Sequence, residues 1–406
     1  MWESILTWGA WLVGIMWLVT ATGQSIYTLA YAWWGRPSPS TAETNATWPT
    51  VTVVMAVRGT EGRLEQSLQA LSNLDYPQYS VFVAVDHPDD PAADIGRRFV
   101  RSEPNPIEMR IADPPQFAGG LKCERLVGLL DSIPTSTQVV AFIDADVVPP
   151  ATWLKQLVVP LGDPSVAVTC GNRWFAPATW SVAETFRVMW NAAAVVQMEW
   201  YRIPWGGSMA IRRESIDQWQ LRQTWSQTFC EDTILAEQAR RHGQTVTHAP
   251  DVVMMEQTDI SWARVINWHV RQLLAVRLHH PAWPLVCLHA WNGLILSVAT
   301  LLLLAGTVAD RNGSAAMWLL GCYLIYSLVS LGLLQLVALR NRYPFSLAYL
   351  AWCWLLIPVV QLTHSVGVAR VMLMRHVIWS QINYQIGPRG VERSDYRVYR
   401  AQSGSQ

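Results

Sequence analysis

Residues 137–150 read TQVVAFIDADVVPP, and the two aspartates, Asp144 and Asp146, stand one residue apart. Two carboxylates that close repel one another unless a cation or a hydrogen-bonding ligand neutralises them. A hard divalent ion bridging to a substrate diphosphate is the natural partner. Taken alone, Asp-x-Asp is a weak signal, because short acidic pairs are common in surface loops. A second acidic pair, Glu231-Asp232, reads as the opening of a helix that Thr233 to Arg241 continue. Carboxylates in a first helical turn are also simply favourable with the macrodipole. Asp86 follows an apolar run and can accept hydrogen bonds from a base or ribose, or merely start a turn before Pro88. Lys122 comes just after Gly119-Gly120; its ammonium suits a phosphate, with the glycines permitting close backbone approach, or it is a solvated lysine at a helix start.

The elements around these residues alternate. Val51–Val57 and residues 80–85 read as strands, and residues 61–74 as a helix with Leu64, Leu68 and Leu71 on one face. Leu121–Leu130 reads as a helix leading to the strand Val139–Ile143, and residues 166–169 as a further short strand. Strands interleaved with helices predict an α/β fold, a mostly parallel sheet covered on both faces, over residues 50–259. The Asp-x-Asp pair then falls at the carboxyl end of a strand, where open α/β sheets bind ligands.

Outside that domain the composition changes. Half of the 406 residues are hydrophobic, 15% are charged and 23 are Trp, so membrane segments are expected. Formal charge is zero, which gives no ground for a nucleic-acid partner. The six cysteines are scattered without zinc spacing, as reduced thiols facing a cytoplasm would be. Residues 1–35 read as an N-terminal transmembrane anchor whose Trp33-Trp34 and Arg36 mark a cytoplasmic border, and residues 36–49 as a linker. Residues 260–282 read as an interfacial amphipathic helix, 283–370 as C-terminal membrane helices and 371–406 as a basic polar tail. Three full crossings after a cytoplasmic domain would strand the basic tail outside, against the positive-inside rule. Trp283–Ala309, with Pro281, Pro284, His289 and Asn292, is therefore expected to be a re-entrant or interfacial segment.

The order of signals resembles the membrane-bound family 2 glycosyltransferases, and among them the ceramide glucosyltransferase-like branch. The resemblance rests on VTVVMAVRG, VAVDHPDDPA, Gly119-Gly120-Leu121-Lys122, AFIDADVVPP and FCEDTILAEQARRHG, in that order. It implies a GT-A (Rossmann-like) catalytic domain between the anchor and the C-terminal membrane region. In that family Asp86 meets the uracil or ribose, Asp144 the ribose side of the nucleotide, and Asp146 a Mg2+ or Mn2+ ion against the diphosphate. Asp232 would be the general base and Glu231 its neighbour at the substrate. Gly206 and Gly207 would line the acceptor and sugar pocket, and Arg271 would face the diphosphate. The main departure is Trp268-His269-Val270-Arg271-Gln272, where relatives carry Gln or Arg, two spacers and Arg-Trp. Gln272 in place of Trp speaks against a processive polymer synthase, and Trp268 is the candidate for acceptor stacking. The implied reaction is single, inverting, metal-dependent transfer of a sugar, a UDP-hexose above all, to a lipid hydroxyl at the cytoplasmic membrane face. The rivals are a polysaccharide synthase and a catalytically inactive GT-A membrane scaffold.

Overall fold

The computed structural model describes residues 2–34, 48–60, 63–100, 106–387 and 390–400. Most of the expected linker, Glu61, Gly62 and Arg389 lie outside the described residues. The chain opens with a 33-residue helix, α1 (Trp2–Trp34). The catalytic-type domain then runs β1 (Val51–Val57), α2 (Leu64–Leu71), β2 (Tyr79–Val85), α3 (Pro91–Val100), β3 (Ile107–Ile111), α4 (Leu121–Leu130), β4 (Val139–Ile143) and α5 (Trp153–Val158). It continues through β5 (Val166–Phe175), α6 (Val182–Tyr201), β6 (Ser208–Arg212), α7 (Arg213–Gln218), α8 (Leu221–Trp225), α9 (Leu235–Arg241) and β7 (Thr245–Glu256). The helices α10 (Trp262–His279), α11 (Trp283–Ala309), α12 (Gly313–Arg340) and α13 (Leu347–Leu373) follow, and then the strands β8 (His376–Trp379), β9 (Ile382–Gly387) and β10 (Gly390–Asp395).

The seven-stranded sheet has the order β3-β2-β1-β4-β6-β5-β7. Strands β3, β2, β1 and β4 are parallel, β6 is antiparallel to both β4 and β5, and β7 is again parallel to β5. The mostly parallel α/β fold is thus present, and its β1 shows why. Val51, Val53, Met55 and Val57 enter one buried cluster with α2 and α5, while Val54 enters the cluster of α4 on the other face. A strand covered on both sides has no polar face to show, hence its unbroken apolar run. The short strand expected at 166–169 is ten residues long. The expected helix start at Glu231 lies further on: α9 begins at Leu235, and Glu231 and Asp232 occupy the turn before it.

Four helices, α1, α11, α12 and α13, are long and apolar enough to cross a membrane. α1 and α12 run the same way, with Asn312 donating to Thr7 at one end and Asn341 donating to the Tyr31 hydroxyl at the other. α11 runs against them: Asn292 meets Thr20, and Thr300 accepts from Trp17. α11 is thus one uninterrupted helix lying antiparallel along α1. α13 takes a different course. Its first turns reach α6, where Trp352 donates to Thr185, and its last turns receive Arg277 of α10 on the Val371 and Met374 carbonyls. Between them Ile357 and Gln361 meet the middle of the α1–α11–α12 bundle, on either side of Pro358. α13 thus runs from α6 of the α/β domain to α10.

The residues after α13 are not a loose tail. β8, β9 and β10 form an antiparallel sheet that packs on α4. Tyr384 accepts from the Leu121 amide at 3.2 Å, and Arg393 pairs with the buried Glu124 at 2.8 Å. The same sheet places Trp379 and Tyr384 at the mouth of the cleft described next.

Candidate active site

Three neighbouring strands deliver the site. β1, β2 and β4 end on one edge of the sheet, in Arg58, Asp86 and Asp144 respectively. The 226–232 loop closes over that edge because Gly119 and Gly120 let two backbones meet: Gly119 donates to Ser226 and Gly120 to Thr228, at 3.2 and 2.7 Å. A Cβ on Gly120 would stand 2.3 Å from the Phe229 carbonyl, so no other residue fits without moving the loop. The glycines thus serve the loop that carries Glu231 and Asp232. From the other side the Phe229 amide donates to His279 of α10 at 3.1 Å, and burial pushes that imidazole down to about 4, which keeps it neutral and an acceptor.

The result is a cavity of about 220 Å³ whose wall holds Asp86, Lys122, Asp144, Asp146, Glu231, Asp232 and Arg271 together. Lys122 Nζ sits 2.5 Å from Asp144 Oδ1 and 2.5 Å from Glu231 Oε1. Burial alone would lower the ammonium, but the two carboxylates more than reverse it and hold Lys122 well above its usual value. Burial would raise Asp144, and the Lys122 charge keeps it below the usual range instead. Glu231 is 1% exposed; burial raises it to about 7, with Lys122 opposing and Asp232 and Asp144 adding to the rise. Arg271 stacks its guanidinium 5.2 Å from the Trp379 ring and faces the same cavity.

Asp232 is held differently. Its Oδ2 accepts from the Gly206 amide at 2.8 Å, and its Oδ1 from the Thr233 amide and hydroxyl at 2.6 and 2.9 Å. A Cβ on Gly206 would fall 2.1 Å from Glu231 Oε1. Gly206 and Gly207 therefore stand behind the carboxylates, buried, and do not line the pocket as expected; their neighbour Trp205 does.

Asp86 also departs from expectation. It is 2% exposed and both oxygens are engaged: Arg125 donates twice to Oδ1 at 2.9 and 2.8 Å, while Arg58 and the Tyr396 hydroxyl donate to Oδ2. A carboxylate has about four acceptor positions, so none is left for a base or ribose. In this arrangement Asp86 orients two guanidinium groups at the cavity rim. Arg58, Arg125 and Tyr396 were not singled out in the sequence.

A second cavity, of about 610 Å³, lies among α1, α6, α10, α11, α12 and α13. Its wall is mostly apolar and includes Trp268, which packs edge-on against Trp190 and Phe175. Arg173, Trp205, Asp232, Gln272 and Ala275 belong to both cavities, so the two meet at Asp232. Gln272 stands where relatives carry Trp, and the exchange Gln272→Trp is expected to change the acceptor KM severalfold while leaving donor affinity in place. Steady-state kinetics read that split, and an unchanged acceptor KM would remove Gln272 from the acceptor side.

Two carboxylates a residue apart, backed by a lysine, form half a metal site. Among the described residues no group of three or more His, Cys, Asp or Glu could hold an ion by itself. The donor set of Asp144 and Asp146 fits a hard divalent ion that takes its other ligands from phosphate oxygens and water.

A mostly parallel α/β domain with an acidic strand end, packed against helices apolar enough to span a membrane, has the architecture of a GT-A glycosyltransferase. The sequence profile of glycosyl transferase family 21 matches residues 13–391, nearly the whole chain, and the chain belongs to that family. The family number differs from the family 2 suggested by the motifs, while the activity class is the same. Among solved structures, the mannosyltransferase PcManGT from Pyrobaculum calidifontis, in complex with GDP-Man and Mn2+, is similar in fold. It has 18% identity and a TM-score of 0.57, over 89% of this chain and 99% of that one. Glucosyl-3-phosphoglycerate synthase from Mycobacterium tuberculosis matches at 15% identity over 56% of this chain and 78% of that one, with a TM-score of 0.38. No curated protein matches the chain.

Proposed function

We propose that this glycosyltransferase moves a single sugar from a nucleotide-sugar, a UDP-hexose above all, to the hydroxyl of a membrane lipid at the cytoplasmic face, with inversion at the sugar carbon. The observation that carries this reading is the shared wall at Asp232. One carboxylate reaches a polar cavity suited to a nucleotide diphosphate and an apolar cavity among membrane-type helices. Lys122 and Arg271 supply positive charge on the polar side. Asp144 and Asp146 would hold a Mg2+ or Mn2+ ion, which when bound stabilises the charge growing on the leaving diphosphate. Asp232, fixed by Gly206 and Thr233, takes the proton of the acceptor hydroxyl. Glu231, sealed against Lys122 and absent from the wall of the apolar cavity, keeps the lysine in place and does not reach the acceptor. One base opposite one leaving group is a direct displacement, hence inversion. Catalytic machinery this complete speaks for an enzyme over an inactive scaffold. The cytoplasmic orientation draws support from the arginine-bearing C-terminal segment, which packs on the catalytic domain as the positive-inside rule requires.

The test is to incubate the purified protein in detergent with a panel of UDP- and GDP-sugars, a divalent ion and a total lipid extract, and to weigh the products. A lipid carrying one added sugar is expected. A glycan ladder, or nucleotide release with no lipid product, would overturn the reading.

A further inference from the structure

The apolar cavity contains a hydrogen-bond donor that the transfer step does not use. Trp190 of α6 donates its indole N–H to His364 Nδ1 of α13 at 3.2 Å. An indole nitrogen is a donor only, so His364 Nδ1 carries no proton. His269 Nε2 of α10 lies 3.1 Å from that same atom and must therefore donate to it as well. With Trp190 donating to the single lone pair of Nδ1 and His269 sharing that acceptor, His364 is neutral and keeps its proton on Nε2. His269 is 0% exposed and its own Nδ1 has no partner, as the complementary tautomer requires. Its ring lies where a side chain at Gly367 would be, with a Cβ there only 2.5 Å from Cε1. The three elements α6, α10 and α13 thus lock one imidazole in one tautomer.

His364 is part of the cavity wall, and among the described residues nothing takes up its Nε2–H. Of the other polar groups nearby, Gln361 links Ser297 to the Tyr326 hydroxyl and Asn292 donates to Thr20, while the His289 ring stands 6.4 Å from that of His364 on the same wall. The position is defined too. His269 precedes Gln272 by three residues on α10, which is about one turn or ~5 Å along the axis. Gln272 belongs to the wall shared with Asp232, so the donor stands about one turn of α10 away from the place where the two cavities meet.

We propose that His364 is a specificity-determining residue, whose Nε2–H donates to an acyl carbonyl oxygen set a few bonds from the acceptor hydroxyl. Isoprenoid and sterol alcohols offer no second oxygen at that distance from the hydroxyl; lipid alcohols carrying an ester- or amide-linked acyl chain do. The proposal rests on the lipid-acceptor reading above.

Three acceptor probes test it: 1,2-diacylglycerol, an N-acyl amino alcohol and a long-chain primary alcohol. They are used as substrates with the donor present and, radiolabelled, as ligands of the purified protein with no donor. The wild type is expected to favour at least one acylated probe over the plain alcohol by about tenfold in KM and in Kd, the scale of one buried hydrogen bond. His364→Phe, which keeps a ring and loses the donor, should bring the ratio near one. His364→Gln, which restores an N–H, should recover most of it. Should the Phe variant not accumulate, Trp190→Phe frees the Nδ1 position and is expected to lower the ratio severalfold. A ratio near one in the wild type, or one that survives in both variants, overturns the proposal. If binding shows the preference and its loss while no probe is glycosylated, His364 keeps its role and the lipid-transfer reaction falls. If transfer occurs with a ratio that His364→Phe does not move, the reaction stands and the assignment of His364 falls.

Discussion

Asp232→Asn lowers the transfer rate by about 10²–10⁴, the usual worth of a positioned general base, and leaves nucleotide affinity within about twofold. Three hydrogen bonds fix the carboxylate. The Asn carbonyl oxygen can take the Gly206 amide bond, while its NH2 gives up the Thr233 amide and donates to the Thr233 hydroxyl, so the contact to Gly206 survives. What disappears is the capacity to accept a proton. Glu231 is the competing candidate, because burial brings it to about 7, near the ideal for a base at neutral pH. Geometry decides against it: its carboxylate is sealed and ion-paired to Lys122, while Asp232 is partly exposed and reaches both cavities. Glu231→Gln is therefore expected to weaken donor binding through the loss of Lys122's partner and to keep measurable turnover at saturating donor. Single-turnover transfer and calorimetric binding of the nucleoside diphosphate separate the two. A Glu231→Gln protein that binds donor normally and does not turn over would exchange the roles of these residues.

How much of this was readable beforehand follows from physics. β1, β2 and β4 were legible because strands buried on both faces are unbroken apolar runs, and the chemistry stands directly at their ends. β6 was not, since five residues of SMAIR set antiparallel between two other strands carry no periodic signal of their own. Asp144, Asp146, Glu231, Asp232, Lys122 and Arg271 do converge on one cavity. The saturation of Asp86 was hidden because its partners are scattered, with Arg58 and Arg125 28 and 39 residues away and Tyr396 310 away. The course of α13 was hidden for another reason. Hydropathy measures composition, and α13 is apolar enough to cross a membrane; only its contacts show that its first turns meet α6 and its last turns α10. The polar strands after it look like a solvated tail because their burial is against α4, not within their own sequence.

Asp146→Ala removes activity and divalent-ion stimulation together, and leaves the fold intact. Of the two strand-end carboxylates, Asp146 is the cleaner one to delete. Asp144 is ion-paired to Lys122 at 2.5 Å, and its loss would leave a largely buried ammonium with Glu231 alone, mixing a structural cost with the chemical one. Asp146 is partly exposed in the turn after β4, where a substitution is expected to shift stability by no more than about 0.5 kcal/mol. If Asp144 and Asp146 hold the ion jointly, one carboxylate is too weak a ligand set, and the ion's contribution to diphosphate binding goes with it. The expected signature is threefold: transfer falls at least about 10²-fold, Mn2+ no longer stimulates what remains, and the nucleoside diphosphate binds the variant no better with Mn2+ than without. Thermal unfolding of the variant should overlay the wild type. A variant that Mn2+ still stimulates to the wild-type extent would place the ion elsewhere and leave Asp146 a turn residue. A variant that loses activity but keeps ion-dependent nucleotide binding would assign the ion to Asp144 with phosphate and water alone, and Asp146 to the sugar.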